Sequence, residues 1–236
     1  MEYSNYKYAS SSKATYNEGL RSFMISVFNN MFIGLIISAI SSIIGYYNTE
    51  LFYGKDGMTT LGTFITFSPL VFIFAFSALV KTVSANTARI LMFTFTGLLG
   101  LSLSYIFNIY TIESITNTFF VTAALFGSMS LYGYNTKKDL TSMGSFMLMG
   151  VFGVFIASIV NLFLQSSSVS FAISIISVIS FTGLTAWDVK VLKNYYLLAD
   201  DEEDRKKAAV VGSLNIYMNF INIFLSLLRL FGDRKN

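Results

Sequence analysis

Two stretches of this chain carry side chains able to do chemistry in an otherwise apolar sequence. The first is NIYMNFINIFLSLLRLFG, beginning at Asn215. Gly212, Asn215, Asn219, Asn222, Ser226 and Arg229 recur at steps of three, four, three, four and three. That spacing draws one stripe along a helix, about 25 Å long at 1.5 Å per residue. The other faces carry Ile, Leu, Phe and Met. Three amides on one side of an apolar helix are costly in hydrocarbon unless they find partners, and intramembrane polar groups face a bundle interior or a water-filled path. The stripe therefore predicts either amide bonding between helices or a hydrophilic path with a gating seam. The second stretch is FTGLTAWDVKVLKNYY, from Phe181. Asp188 there closes a long uncharged run and follows Trp187, whose amphipathic ring suits a membrane interface. Asp188 is expected at or just inside the cytoplasmic boundary. Either it is an ordinary interfacial acid pairing with Lys190 or Lys193, or it reaches Asn219 across a closed seam.

Other chemistry is excluded by what is missing. There is no cysteine and no histidine, which removes disulfides, thiol chemistry, the usual zinc ligand sets and every Ser-His or Cys-His arrangement. A two-aspartate intramembrane protease would need a second acid within a span, and none is present. An enzyme is not expected, and no cofactor is indicated. Net charge is +3, so no nucleic-acid partner is expected.

The elements that position these residues follow from composition. Apolar residues make up 54% of the 236 and charged residues 12%, with a mean hydropathy of +0.61. Soluble domains carry about 25% charged residues; half of that cannot cover a surface facing water. A helix needs about 20 apolar residues to cross the hydrocarbon core. Seven segments fit: Phe23–Tyr47, Leu61–Val80, Ile90–Tyr110, Ile115–Tyr134, Met143–Leu164, Val169–Trp187 and Ala208–Phe231. Of the 16 Lys and Arg and 13 Asp and Glu, only Arg229 lies within a span. Barrel strands would show alternation over about ten residues, which is missing. The expected organisation is a cytoplasmic tail over 1–22, a seven-helix domain over 23–232 and a short tail over 233–236.

Lys and Arg in the connections set orientation. The N-terminal tail and every second connection hold twelve, against one (Lys55) on the other face plus three at the C-terminal end. The N-terminus is thus expected in the cytoplasm. Seven crossings leave the C-terminal cations outside; a re-entrant last segment would return them. The longest connection is expected from Asp188 to Lys207, as a solvated loop with the acids Asp200, Asp201, Glu202 and Asp204. Pro69, the only proline, removes a backbone donor mid-span and is a candidate kink. Gly150, Gly153, Ala157 and Asn161 share one side of the fifth span, a face that lets helix backbones approach closely.

At the two chemically marked stretches the chain resembles the Bax inhibitor-1 family, the transmembrane BAX inhibitor motif proteins, and looks closest to its bacterial branch. The likeness extends to GLSLSYIFNIYTIESITNTFFVTAALFGSMSLYGYNTKKDLTSMGSF from Gly100 and MGVFGVFIASIVNLFL from Met149, covering about residues 20 to 232. The resemblance implies an all-α membrane protein, a seven-transmembrane-helix bundle with the C-terminal helix in the centre. It implies residence in the bacterial inner membrane and a pH-sensitive calcium leak. It also implies a gating pair of aspartates, of which Asp188 matches the first. At the second position this chain has Asn219. Two touching carboxylates share a proton because both cannot ionise together; an Asp–Asn pair keeps a hydrogen bond and loses that repulsion. It also offers one charge fewer to Ca²⁺, which prefers several oxygen ligands with carboxylates among them. Asp188 remains a weak calcium candidate, with Asn215, Asn219, Asn222 and Arg229 along the path and Ca²⁺ as permeant ion.

Two further readings stand beside the leak. Some bacterial members of the family are tied to the membrane-bound FtsH protease, so a non-conducting regulator of such a protease is an alternative, with Tyr3, Tyr6, Tyr8 and Lys13 of the tail as its handle. A secondary transporter would be expected to show internal repeats, and no clear duplication is visible. The lipid bilayer is the one partner that composition demands; nothing in the sequence sets an oligomeric state.

Overall fold

The computed structural model describes residues 2–54, 57–199 and 201–235, with side chains from Glu18 onward apart from Tyr53. The chain forms α1 (Glu2–Tyr47), α2 (Thr49–Phe52), a two-residue hairpin of β1 (Tyr53–Gly54) and β2 (Gly57–Met58), then α3 (Thr60–Leu79), α4 (Ala85–Leu103), α5 (Ile106–Ile109), α6 (Ile112–Asn135), α7 (Thr141–Leu164), α8 (Ser167–Leu198) and α9 (Glu202–Phe231). In lipid every backbone polar group must be satisfied within the protein, which favours helices. Seven of these helices are long and apolar enough to cross a bilayer: Glu18–Tyr47 of α1, and α3, α4 with α5, α6, α7, α8 and α9. The fold is an all-α membrane bundle. The side chains of Tyr3, Tyr6, Tyr8 and Lys13 lie outside the described residues.

Hydroxyls mark where the helices start. Thr59, Ser84, Thr111 and Ser166 each cap a helix N-terminus by accepting from the amide three residues on. Pro69 lies inside a continuous α3. It has no N–H for the Ile65 carbonyl, and the Ser68 hydroxyl donates to that oxygen at 2.9 Å instead.

Successive spans alternate direction. The near face, where the spanning part of α1 begins, also holds the end of α6: Lys190 and Lys193 of α8 donate to the Thr136 and Tyr134 carbonyls at 2.7 and 3.0 Å. On the far face the C-terminal residues fold back on the α5–α6 junction. The Lys235 amide donates to Ile109, the Thr111 amide to Asp233, and Tyr110 bridges Arg234. α9 therefore runs from one face to the other, as a crossing helix.

Burial grades the bundle. Two-thirds of α9's apolar stretch is buried, against none of α7's. α9 packs against α8, α1, α6 and α4, whereas α7 packs chiefly against α8. Backbones come close where side chains vanish: a Cβ on Gly133 of α6 would collide with the Ala186 carbonyl of α8.

Two expectations are corrected. The stretch from Asp188 to Lys207 is not a loop: α8 continues to Leu198 and α9 begins at Glu202. Arg205 holds the tight turn by donating from Nε and Nη2 to the Ala199 carbonyl at 2.8 and 2.5 Å, and three acids in the first turn of α9 suit its positive end. Charge density read as a loop is in fact a helical hairpin. On α7, Gly153 is exposed with open space around it. Of the predicted face, Gly150 does approach α8 closely, against Ser180, and the approach continues through Gly144, against the Trp187 ring, rather than through Gly153. Asn161 braces the following turn, donating to Ser170 Oγ at 2.7 Å and accepting from the Ser166 amide at 3.0 Å, across Gln165 in the left-handed region at φ 49°.

Candidate functional site: an acid and an amide at the base of a cleft

The hairpin of α8 and α9 sets two polar side chains against each other. Asn219 Nδ2 donates to Asp188 Oδ2 at 2.6 Å, within the range of charge-assisted hydrogen bonds. Asn219 is 5% exposed and Asp188 half-buried. Asp188 lies level with the last turn of α6, since its neighbour Ala186 abuts Gly133 and Lys190 reaches Thr136. From there α8 runs on ten residues, about 15 Å, toward the near face.

That extension walls a cleft of about 460 Å³. Lys81, Asp204 and Lys207 line its mouth on the near face, Asn215 its wall, and Asp188 its inner end. Lys190 and Lys193 do not pair with Asp188. Both cap the C-terminus of α6, with the Lys193 ammonium 5.0 Å from the Tyr134 ring centre, where a helix end carries partial negative charge. Sequence proximity suggested the pairing; the turn of the helix directs the lysines elsewhere.

The predicted stripe points inward except at Asn215 and Arg229. Gly212, Asn219 and Ser226 are buried and Asn222 is half-buried, donating to its own Met218 carbonyl at 2.8 Å. Asn215 is exposed in the cleft and Arg229 is exposed near the far end of α9. Asn215 sits mid-helix between buried neighbours and is exposed because it faces the cleft, whereas Arg229 lies in the last turn, where the helix leaves the packed bundle.

A second polar line on α9 went unread. Ser213 donates to the Val27 carbonyl of α1 at 2.9 Å. Tyr217, fully buried, bonds Ser38 Oγ at 2.7 Å, and Ser38 lies 2.8 Å from the Thr96 carbonyl of α4. Ser38 has one proton, so when it donates to Thr96 it accepts from Tyr217. This knot ties α9 to α1 and α4. Its signal was a pair of hydroxyl residues four apart, each two positions before an asparagine of the stripe.

Among the described residues no group of three acids, histidines or cysteines is placed to hold a metal ion. An ion arriving through the cleft would meet one carboxylate and one amide, fewer ligands than calcium takes when it stays bound.

Crossing helices, a carboxylate–amide contact and a cleft opening at the near face define a polytopic helical membrane protein with a polar seam between its last two helices. Residues 20–236 match the family model described as inhibitor of apoptosis-promoting Bax1, and the chain belongs to the Bax inhibitor-1 family. It is 42% identical to an uncharacterised protein of Rickettsia prowazekii over the full length of both chains. It is 44% identical to an uncharacterised protein of Borreliella burgdorferi, covering 91% of this chain and 93% of that one. It is 38% identical to the inner membrane protein YbhL of Escherichia coli, covering 92% and 94%.

Proposed function

We propose that this protein is a cation leak pathway of the inner membrane, closed at the Asp188–Asn219 contact, with a weaker response to pH than a paired-acid gate would give. The observation that carries the reading is the 2.6 Å bond itself, sited where the near-face cleft ends. A carboxylate at the inner end of a cleft open to the near face attracts cations. The bond to Asn219 holds that carboxylate against α9. Opening then requires exchanging a hydrogen bond to a charged group for hydration, a step of about 1.5–3 kcal/mol. Protonation of a lone acid weakens that bond but creates no repulsion to relieve, which is why pH acts weakly.

The near face is the cytoplasmic one in this reading, since Lys81, Arg89, Lys137, Lys138, Lys190 and Lys193 gather there. YbhL is an inner membrane protein by name, which supports the same membrane here. Calcium is the permeant ion to test first, entering without a resident site. The test is calcium flux into dye-loaded liposomes at pH 6 and pH 8, for wild type and Asn219→Asp. A shallow wild-type pH response that steepens in the variant supports the gate. A steep wild-type response unchanged by the substitution overturns it.

A further inference from the structure

A second cavity lies on the other side of α9, toward the far face, with a volume of about 390 Å³. α1 and α6 flank it, and Phe220, Ile221 and Phe224 of α9 form its floor. Its rim is open sideways: Ile43 of α1 and Ile112 and Phe120 of α6 are all exposed. Along α1 it runs from Leu35 to Ile43, about 12 Å at 1.5 Å per residue. One leaflet of a hydrocarbon core is about 15 Å deep. The cleft therefore opens within one leaflet rather than into water.

Its lining asks for no polar ligand. Ionisable side chains are absent from the lining residues. The hydroxyls are already committed: Ser42 donates to Ala39 at 2.9 Å, Thr116 to Ile112 at 2.8 Å, and Ser38 joins Tyr217. At the far-face end the character changes. Lys235 donates through Nζ to the carbonyl of Phe107, a lining residue, at 2.7 Å, and lies 5.7 Å from the Tyr46 ring centre. Arg234 sits beside it, bridged to Tyr110, and both cations are exposed. The neighbouring acid Asp233 is turned to Ser114, which lies within 3.3 Å of it. The result is an apolar slot of leaflet depth with two cations at its headgroup end.

We propose that this cleft holds an acyl chain of an anionic phospholipid from the far-face leaflet, its phosphate lying at Lys235 and Arg234. Juxtamembrane cations attract anionic lipid, and the slot supplies the apolar contact that would hold one molecule in place. The inference rests on the membrane fold alone and is independent of the leak. The test is native mass spectrometry of the full chain in detergent, with phosphatidylglycerol or phosphatidylcholine of identical chains added. Wild type is expected to retain one phosphatidylglycerol, favoured about tenfold over phosphatidylcholine. Ala39→Phe fills the slot from an exposed position, and should lose the bound lipid while its unfolding temperature stays near wild type. Lys235→Glu should keep a lipid and lose the headgroup preference. Retention of neither lipid by wild type, equal retention of both, or undiminished retention in a folded Ala39→Phe variant would overturn the assignment.

Discussion

Replacing Asn219 by Asp is the sharpest probe of the seam, because it changes one donor atom and little volume. In the native protein Nδ2 of Asn219 lies 2.6 Å from Oδ2 of Asp188. An oxygen placed there gives two carboxylates in contact. When both are ionised, charges about 4 Å apart repel by about 4 kcal/mol at an effective dielectric of 20. A factor of ten in an equilibrium corresponds to about 1.4 kcal/mol, so the ionised pair favours separation of α8 and α9 by up to about a thousandfold. With one proton shared between the oxygens, the pair is instead held by a strong hydrogen bond. Flux through the variant should therefore be low at pH 6 and high at pH 8. Wild type, which keeps its amide donor at both values, should differ far less. The assay is dye-reported calcium entry into proteoliposomes, with unfolding temperatures recorded at each pH to show that both proteins remain folded. A folded variant whose flux is as flat with pH as wild type would show that the contact does not gate anything.

Other consequences follow from packing and hydrogen bonding. Gly133→Ala forces a methyl group against the Ala186 backbone and should cost about 1–3 kcal/mol, whereas Gly153→Ala enters open space and should be neutral or gain up to about 1 kcal/mol of helix propensity; paired thermal unfolding in detergent separates them. Tyr217→Phe removes the hydroxyl bound to Ser38, and the buried knot should lose about 1 kcal/mol, read as a lower unfolding temperature with flux retained. Asp139 accepts from the Thr141 hydroxyl and amide at 2.6 and 2.9 Å, which holds its carboxyl below the ordinary carboxylate range. Its stabilisation is thus fully present above the unfolded value, near pH 4, and is lost as pH falls through the lower folded value. Asp139→Ala should flatten the acid limb of the stability profile, measured by unfolding between pH 2 and 5.

Hydropathy alone placed the seven crossings, because charge is costly in hydrocarbon and the seven apolar runs contain no charged residue but Arg229, the others lying at helix ends or between helices, apart from Asp188, which follows the sixth run within α8. The asparagine period placed Asn219 on a polar face of α9, since helical spacing is a local property. It could not say where that face meets a neighbour and where a cleft, so Asn215 faces the cleft and Arg229 is exposed in the last turn, while Gly212 and Asn219 are buried. Nor could charge density tell a solvated loop from a helical hairpin: the residues after Asp188 are polar in either state, and only their contacts with α6 and α4 distinguish them, as Lys190 on Thr136 and Glu203 on the Ala85 amide show. Gly153 and Gly133 look alike as letters. One faces open space and the other abuts a carbonyl because of where α8 lies. The sequence by itself determined which segments must leave water and which side chains lie along each helix, both consequences of solvation and backbone geometry. Tertiary structure alone decided partners, because the contact of Asp188 with Asn219, like that of Tyr217 with Ser38, depends on how separate helices are set against one another.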